Sequence, residues 1–278
     1  MGKEGKGKTE MSTTTDTAIF FSQDYRDLVH RPNGADWFHS VPLPDGSRIA
    51  GLHEDRNVQV KLWNCLTADV AGKRVLDIGA NDGYFSIAAS LAGAQQVTAL
   101  NTADCATFPG NISYVAKQWD VAPEVCVGDF QIHKFDGQYD VILFLGVLYH
   151  VENIFSTMEL LSSLLAGGGA LFMETQMSQI LDSSLPIFEA ASDIYPTIAV
   201  QSKKSLGLTG VSNFLFPNEA AMQNLAHSYD FSCERLYGDY TKDYPSRGVF
   251  KLVSLARSLK SRPVWSEPLR WCTSRLRR

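Results

Sequence analysis

The stretch from Val75 to Ser86, VLDIGANDGYFS, decides the fold. A short apolar strand ends at Gly79, and residues 84–91 after the glycine turn have the composition of a helix. Residues 96–100, QVTAL, then form a second predicted strand. A strand, a helix and a strand within about 27 residues are typical of a parallel sheet that is covered by helices.

The same alternation continues towards the C-terminus. The predicted elements after the second strand are strands at 125–127, 139–145, 170–174, 231–237 and 249–256 and helices at 154–165 and 219–228. The glycine run 167–169 is expected to separate the first of these helices from the strand that follows it. We therefore predict an α/β fold with a doubly wound, Rossmann-like sheet of seven strands that ends in an antiparallel hairpin.

The composition divides the chain into one domain and two tails. Residues 1–17 are mostly Lys, Gly, Ser and Thr, which predicts a disordered tail, and residues 257–278 form a basic C-terminal tail. The domain itself spans 18–256 and begins with an aromatic-rich, helical segment. Within it, residues 177–212 lack a clean strand–helix alternation, which predicts a lid or substrate insertion after the fifth strand.

The charge distribution argues against a nucleic-acid partner. The basic tail holds seven basic residues and one acidic residue, which leaves −11 on the rest of a chain whose net charge is −5. A domain with a large net negative charge is unfavourable for a long phosphate-binding surface. The tail could still contact an acidic partner, although a solvated C-terminus is the simpler interpretation.

The cysteines and the apolar runs indicate the compartment. The five cysteines include no C-x-x-C pair, so neither a disulfide framework nor a metal site is predicted. No apolar run is long enough to span a membrane, and no secretory signal follows the first lysines. We expect a cytoplasmic protein that has no contact with a membrane.

The glycine turn restricts the ligand. Gly79 and Gly83 stand in the spacing G-x-x-x-G, whereas Asn81 and Tyr84 replace two glycines of the dinucleotide fingerprint, and the Gly-Lys-Ser/Thr of a phosphate loop is missing. Asp77 would repel a pyrophosphate but could accept a hydrogen bond from an ammonium group. The residues therefore favour a cationic nucleoside without phosphate; an ordinary strand–turn–helix corner is the alternative.

LDIGANDGYFS resembles motif I of the class I S-adenosylmethionine-dependent methyltransferases. The resemblance implies that the glycine loop wraps the amino-acid part of the cofactor, that the second strand ends at the ribose and that an acid after the third strand meets the adenine. Asn101 stands where the family has an acid for the ribose, and a neutral amide binds a hydroxyl more weakly. The implied cofactor-binding residues are Asp77, Gly79, Ala80, Asn81, Gly83, Asn101, Asp129, Phe130, Leu145 and Gly146.

A narrower resemblance extends over residues 35–256. FLGVLYH at 144–150 is similar to the bacterial tRNA wobble-uridine enzymes that make 5-oxyacetyl uridine, and to their small-molecule-modifying relatives. Looser matches are MET at 173–175, WFHS at 37–40, LPDG at 43–46, FLFPN at 214–218 and DYPSR at 243–247. In the tRNA enzymes a tyrosine, an arginine and a lysine hold a carboxylated cofactor. Tyr149 and Arg247 match the first two, but no lysine stands in the segment WFHSVPLPDG.

We therefore predict S-adenosylmethionine-dependent methyl transfer to an oxygen or nitrogen of a small-molecule acceptor. His150 is the candidate base and Tyr149 the candidate residue that orients the acceptor. Candidate acceptor contacts are Trp37, His39, Tyr195 and Arg247; each could instead be a packed or paired side chain. Two alternative functions stay open, a tRNA wobble-uridine (carboxy)methyltransferase and a non-catalytic cofactor-binding scaffold.

Overall fold

The computed structural model describes residues 20, 26–27, 37–51, 63, 70–105, 107–178, 180, 184–190, 214–239 and 247–255. Both predicted tails lie outside these residues, as do Tyr195 and most of the predicted insertion at 177–212. The domain boundaries and the lid therefore stay predictions.

The described residues form short strands at the N-terminal side, a central sheet and four α-helices. The strands are β1 (Arg26–Asp27), β2 (Val41–Pro42), β3 (Ser47–Ile49), β4 (Arg74–Ile78), β5 (Gln96–Asn101), β6 (Glu124–Val127), β7 (Tyr139–Leu145), β8 (Leu165–Gln176), β9 (Phe188–Ala190), β10 (Leu215–Pro217), β11 (Phe231–Asp239) and β12 (Arg247–Ser254). The helices are α1 (Tyr84–Leu91), α2 (Phe108–Gln118), α3 (Ile154–Leu164) and α4 (Glu219–Ser228).

The central sheet has the strand order β11-β12-β8-β7-β4-β5-β6. The five strands from β8 to β6 are parallel, whereas β12 pairs antiparallel with both β8 and β11. The order of the strands reverses between β4 and β7, and ligands of doubly wound sheets bind at the carboxyl ends of the strands at such a switch point. The predicted seven-stranded sheet with a final hairpin is confirmed.

Two apolar layers cover the sheet. Helices α1 and α2 pack on one face, and α3 and α4 pack on the other. Strand β7 contributes to both layers, since Val141 and Leu143 belong to the first and Ile142 and Phe144 to the second. This burial on both faces explains why YDVILFL reads as a continuous apolar run.

The structure corrects the prediction for the glycine run. Strand β8 begins at Leu165, so residues 167–169 lie inside the strand and not between α3 and the strand. The pairing of β7 with β8 shifts its register between Tyr139 and Val141, opposite this run. Glycines tolerate such an irregularity because they adopt a positive φ, as Gly168 does at +77°.

Several elements were not predicted. Helix α2 has a proline in its first turn and a low overall hydropathy, so its sequence does not show the pattern expected of a helix. Strand β9 lies within the predicted insertion at 177–212 and pairs antiparallel with β10, which follows the insertion. Strands β1, β2 and β3 form a three-stranded sheet in the N-terminal segment.

Candidate active site

The glycine turn after β4 is fixed by backbone contacts. The N–H groups of Gly79 and Ala80 donate to the carbonyl of Leu100 at 2.8 and 3.2 Å, which ties the turn to β5. Gly79 has φ +80° and Asn81 φ +49°. A Cβ on Gly79 would lie 2.5 Å from Cγ2 of Val147, so only glycine lets the turn reach the segment after β7.

Asp77 lies under this turn. Its side chain is buried, and its Oδ2 accepts a hydrogen bond of 2.6 Å from the hydroxyl of Ser86 in α1. Burial raises the pKa of Asp77 to about 6, and the hydrogen bond from Ser86 opposes that shift. The carboxyl group is therefore mostly ionised at neutral pH, although its donors, the hydroxyl and the backbone N–H of Ser86, carry no charge.

Asp82, within the same turn, is a site residue that the sequence reasoning missed. It is buried, and its Oδ2 accepts from the backbone N–H groups of Phe38 and His39 at 2.5 and 2.8 Å. Its Oδ1 accepts from the amide of Asn111 in α2 at 2.8 Å. Burial raises its pKa, against these hydrogen bonds. The sequence did offer a signal for Asp82: a tight glycine turn does not require a charged residue, so an acid within it indicates a specific role.

Three predicted cofactor residues lie at the ends of β5 and β6. The carbonyl of Asn101 accepts from Gly128 N–H at 2.8 Å, which joins the two strand ends, and its side-chain oxygen accepts from its neighbour Thr102 at 3.0 Å. The carboxyl of Asp129 is exposed and accepts from the N–H of Gln131 at 2.9 Å. The ring of Phe130 packs on the core. These side chains share one edge of the sheet with the glycine turn.

The segment after β7 holds both candidate catalytic residues. Leu145 and Gly146 are half-buried, and Gly146 donates its N–H to the carbonyl of Glu174 at 3.0 Å. Tyr149 is buried and His150 is exposed, and their ring centroids lie 4.3 Å apart. The structure thus brings both rings to the carboxyl end of β7, beside the glycine turn.

Arg247 forms an ion pair with a carboxyl group that was not predicted. Its Nη1 lies 2.7 Å from Oε1 of Glu174, which is buried in β8. Its guanidinium also lies over the ring of Tyr149, with Cζ 5.7 Å from the ring centroid. The signal for Glu174 in the sequence was an acid within the predicted strand 170–174.

The predicted acceptor contacts of the N-terminal segment lie against α1 and α2. The indole of Trp37 is fully buried in the core, edge-on to the ring of Tyr114. His39 packs between the first-turn rings of Tyr84 and Phe85, and its Nδ1 lies 3.8 Å from Oδ2 of Asp82. The hydrogen bonds to Asp82 therefore bring His39 to the glycine turn.

Neither a metal cluster nor a membrane helix occurs in the described part of the chain. No group of three or more His, Cys, Asp or Glu side chains there could hold a metal ion. No helix within those residues is long and apolar enough to cross a membrane.

Comparison with known proteins identifies the family. The family model for a methyltransferase domain matches residues 53–236, about two thirds of the chain. Among curated proteins, the chain is 32% identical over 112 residues to a tRNA U34 carboxymethyltransferase of Syntrophotalea carbinolica, covering 39% of this chain and 33% of that protein. It is 27% identical over 153 residues to a ubiquinone biosynthesis O-methyltransferase of Aromatoleum aromaticum, covering 55% of this chain and 60% of that protein.

These curated relatives are matched over only part of their length, between 33% and 60% for the two named. Among solved structures, magnesium protoporphyrin IX methyltransferase of Synechocystis PCC 6803, with S-adenosylhomocysteine bound, superimposes with a TM-score of 0.51. The two chains are 17% identical, and the match covers 74% of this chain and 89% of that one, which shows a common fold. The predicted family is thereby confirmed: the chain belongs to the methyltransferase-domain family.

Proposed function

We propose that this protein transfers a methyl group from S-adenosylmethionine to an oxygen or nitrogen of a small-molecule acceptor. The observation that carries the proposal is the pair of buried carboxyl groups, Asp77 and Asp82, at a glycine turn on the switch point of the sheet. Their hydrogen-bond donors among the described residues are a hydroxyl, an amide and backbone N–H groups, none of which carries charge.

The turn and its surroundings fit a cationic nucleoside. Buried carboxylates with neutral hydrogen-bond donors favour an ammonium or sulfonium group nearby and disfavour a pyrophosphate. Positive φ angles at Gly79 and Gly83 let a ligand approach the backbone closely. Asn101 and Asp129 lie on the same edge, where the family's ribose and adenine subsites would fall, and solved neighbours of the same fold hold S-adenosylhomocysteine.

The chain contributes alignment, exclusion of water and one proton acceptor. When bound, S-adenosylmethionine would supply a methyl group activated by its sulfonium; an acceptor lone pair would bond to the methyl carbon as the carbon–sulfur bond breaks, with S-adenosylhomocysteine as the leaving group. Leu145 and Gly146 would form the floor under that methyl group, and Tyr149 would orient the acceptor. His150, exposed beside Tyr149, would take the proton that the acceptor loses.

Charge supports a small acceptor. Residues 1–256 carry −11 of formal charge, which disfavours a polyanionic substrate. Several curated relatives are named ubiquinone biosynthesis O-methyltransferases, which supports an oxygen acceptor. The five cysteines, none of them in a C-x-x-C pair, support a cytoplasmic enzyme.

Transfer to the wobble uridine of tRNA is the second candidate. It is favoured by the likeness to a tRNA U34 carboxymethyltransferase and by the placement of Arg247 over Tyr149, the two residues that match the carboxylate-binding set of that family. Binding of bulk tRNA at moderate salt, followed by mass spectrometry of its nucleosides, separates the two candidates. A modified wobble uridine would replace the small-molecule proposal.

The test of the proposed function has two stages. Calorimetry of the full chain with S-adenosylmethionine and S-adenosylhomocysteine is expected to give one site per chain, and a methylation screen with mass detection is expected to find a small acceptor. Absence of binding would contradict the cofactor assignment. Binding without turnover on any acceptor would favour the scaffold alternative. The His150→Ala variant is expected to lose turnover while it keeps cofactor affinity.

A further inference from the structure

Three polar side chains meet at the carboxyl end of β7, beside Gly146. Glu174 comes from β8, where it lies opposite Leu145 in the parallel pairing. Tyr149 comes from the turn after β7, and Arg247 is the first residue of β12. Because Val147, in the same segment, would touch any Cβ placed on Gly79, this cluster lies next to the glycine turn.

Within the cluster, the charge of Arg247 is already compensated. Its Nη1 donates to Oε1 of Glu174 at 2.7 Å, and its side chain is only 28% exposed. Burial alone would lower the pKa of Arg247, but the charge of Glu174, together with Tyr149, more than offsets that and raises the pKa above its ordinary value. The guanidinium therefore serves an internal carboxylate and is not an unpaired anion site.

The second carboxylate oxygen of Glu174 points towards the space that Gly146 leaves open. A Cβ on Gly146 would lie 3.5 Å from Oε2 of Glu174 and 3.4 Å from the hydroxyl oxygen of Tyr149. Among the described residues, the side chain of Glu174 receives one hydrogen bond, from Arg247 to Oε1. Its Oε2 is thus an acceptor atom of a buried side chain, and it lies beside the predicted position of the methyl group.

We infer that Glu174 is an acceptor-binding residue and that the methyl acceptor presents a hydroxyl or amine proton, not a carboxylate, to this cluster. This inference rests on the proposed function and names its substrate class. A carboxylate oxygen accepts hydrogen bonds and cannot donate them, so its partner must carry a proton. An acceptor carboxylate would face Oε2 without a net positive charge to offset the repulsion.

Arg247 accordingly acts as a positioning residue. It holds Oε1 of Glu174, which leaves Oε2 directed at Gly146, and it stacks on Tyr149, which fixes the neighbouring hydroxyl. The sequence had suggested Arg247 itself as the residue that contacts the acceptor. The geometry assigns that contact to Glu174.

Binding to matched probes tests the inference. The full chain is saturated with S-adenosylhomocysteine, and dissociation constants are measured for catechol against 3,4-dihydroxybenzoate and for phenethylamine against 3-phenylpropionate. In the wild type the probes that lack a carboxylate are expected to bind roughly tenfold tighter than their partners. In Glu174→Gln the ratio is expected to fall to about one, because Arg247 then keeps its charge and attracts carboxylates.

The glutamine variant retains an amide oxygen for Arg247, so the fold is expected to persist. Glu189→Gln is the matched control, because this half-buried carboxyl of β9 accepts a hydrogen bond from Ser178, and its probe ratio should equal that of the wild type. If Glu174→Gln proves unstable, the wild-type ratios alone decide, since they need no variant.

Three outcomes would overturn the inference. They are tighter binding of the carboxylate probes by the wild type, an unchanged ratio in a folded Glu174→Gln variant, and no binding of any hydroxyl or amine probe. Binding of S-adenosylhomocysteine is measured first in each protein. Its loss in the wild type would contradict the proposed function, whereas its retention with any of these three outcomes would remove only the assignment of Glu174.

Discussion

The two sides of the switch point hold their buried carboxyl groups differently. One side, formed by β4 and the glycine turn, would bind the methyl donor S-adenosylmethionine and is called the donor side; affinity for this cofactor or its product is called donor affinity. On the donor side, Asp77 and Asp82 accept hydrogen bonds from uncharged groups. The other side, formed by β7, β8 and β12, would bind the methyl acceptor and is called the acceptor side; there Glu174 forms an ion pair with Arg247. Hydrogen bonds from neutral donors satisfy a carboxylate without cancelling its charge, whereas an ion pair cancels it.

This difference in charge compensation explains how one sheet could bind two ligands of different charge. The pKa values of Asp77 and Asp82 are raised by burial, so each carboxylate gains further stabilisation from a cation brought next to it. Arg247 already supplies that stabilisation to Glu174. A sulfonium donor therefore suits the first side, and an uncharged or amine acceptor suits the second.

The largest expected effect comes from closing the glycine turn. Gly79→Val would force a Cβ within 2.5 Å of Val147 and place a branched residue at φ +80°. We expect donor affinity to fall by roughly 100-fold or more, because the turn must move away from β7. Calorimetry with S-adenosylhomocysteine measures it.

The matched control is Gly93→Ala. Gly93 has φ +86° with open space around it, so a side chain there strains the backbone as one at Gly79 would, but it does not clash with a neighbouring residue. We expect a loss of about 1 kcal/mol in the free energy of unfolding and unchanged donor affinity. Full donor affinity in Gly79→Val would show that the donor side lies elsewhere.

The second-largest effect is expected from removing the hydrogen bonds that join the N-terminal segment to the glycine turn. Asp82→Ala leaves the N–H groups of Phe38 and His39 and the amide of Asn111 without their acceptor. We expect the free energy of unfolding to fall by about 3 kcal/mol and donor affinity by roughly tenfold. Urea unfolding and calorimetry give the two values.

Asp45→Ala is the control for this experiment. Asp45 accepts hydrogen bonds from the N–H and the hydroxyl of Ser47 in the hairpin of the same segment. Its loss is expected to cost about 1 kcal/mol and to leave donor affinity intact. If both variants weaken the donor equally, the special role of Asp82 is wrong.

The third effect is a pH dependence confined to the donor side. The folded protein binds the proton of Asp77 more tightly than the unfolded chain, so the stability contribution of Asp77 falls as pH rises from about 4 to about 6. The pKa of Asp77, about 6 against its ordinary value of 3.8, corresponds to a change of at most about 3 kcal/mol in the free energy of unfolding over that window.

Asp77→Asn is expected to remove this slope from the urea-unfolding free energy between pH 4 and pH 6. Donor affinity of the wild type should fall below about pH 6, where protonation of Asp77 removes its charge, and should become flatter with pH in the variant. An identical slope in both proteins would mean that the proton is taken up elsewhere.

The smallest effect concerns a helix cap on the acceptor side. Asn218 is fully buried, and its Oδ1 accepts from the N–H groups of Ala221 in α4 and of Ile187 at 2.9 and 3.0 Å. Asn218→Ala is expected to cost about 2 kcal/mol in the free energy of unfolding, with donor affinity unchanged.

The comparison for this cap is Asn153→Ala. Asn153 is exposed and caps α3 through a single hydrogen bond of 3.1 Å from Ser156, so its removal should cost about 1 kcal/mol or less. Thermal unfolding of both variants ranks them. A change in donor affinity in either variant would weaken the division into two sides.

Much of the parallel sheet could be predicted because its strands are short apolar runs between glycines. The run 139–145 is buried on both faces, and this gives a signal that needs no knowledge of its neighbours. Helix α2 was missed because only one of its faces is buried and its first turn contains Pro109 and Gly110, both typical of loops.

The candidate site was predicted unevenly for a similar reason. Gly79 and Gly83 are recognisable because a tight turn demands them locally, whereas Asp82 and Glu174 are single acids whose meaning depends on distant partners. Asp82 meets Phe38 across 44 residues of chain, and Glu174 meets Arg247 across 73.

The sequence by itself determined the strand–turn–helix at Asp77–Tyr84 and, through the resemblance of LDIGANDGYFS to methyltransferase motif I, the family, since both depend on residues that are adjacent in the chain. Only the tertiary structure decided which buried carboxyl groups keep their charge uncompensated and which is neutralised. The physical reason is that the energy of a buried charge depends on its desolvation and on the groups packed against it. Those groups are brought together by the folding of segments far apart in the chain.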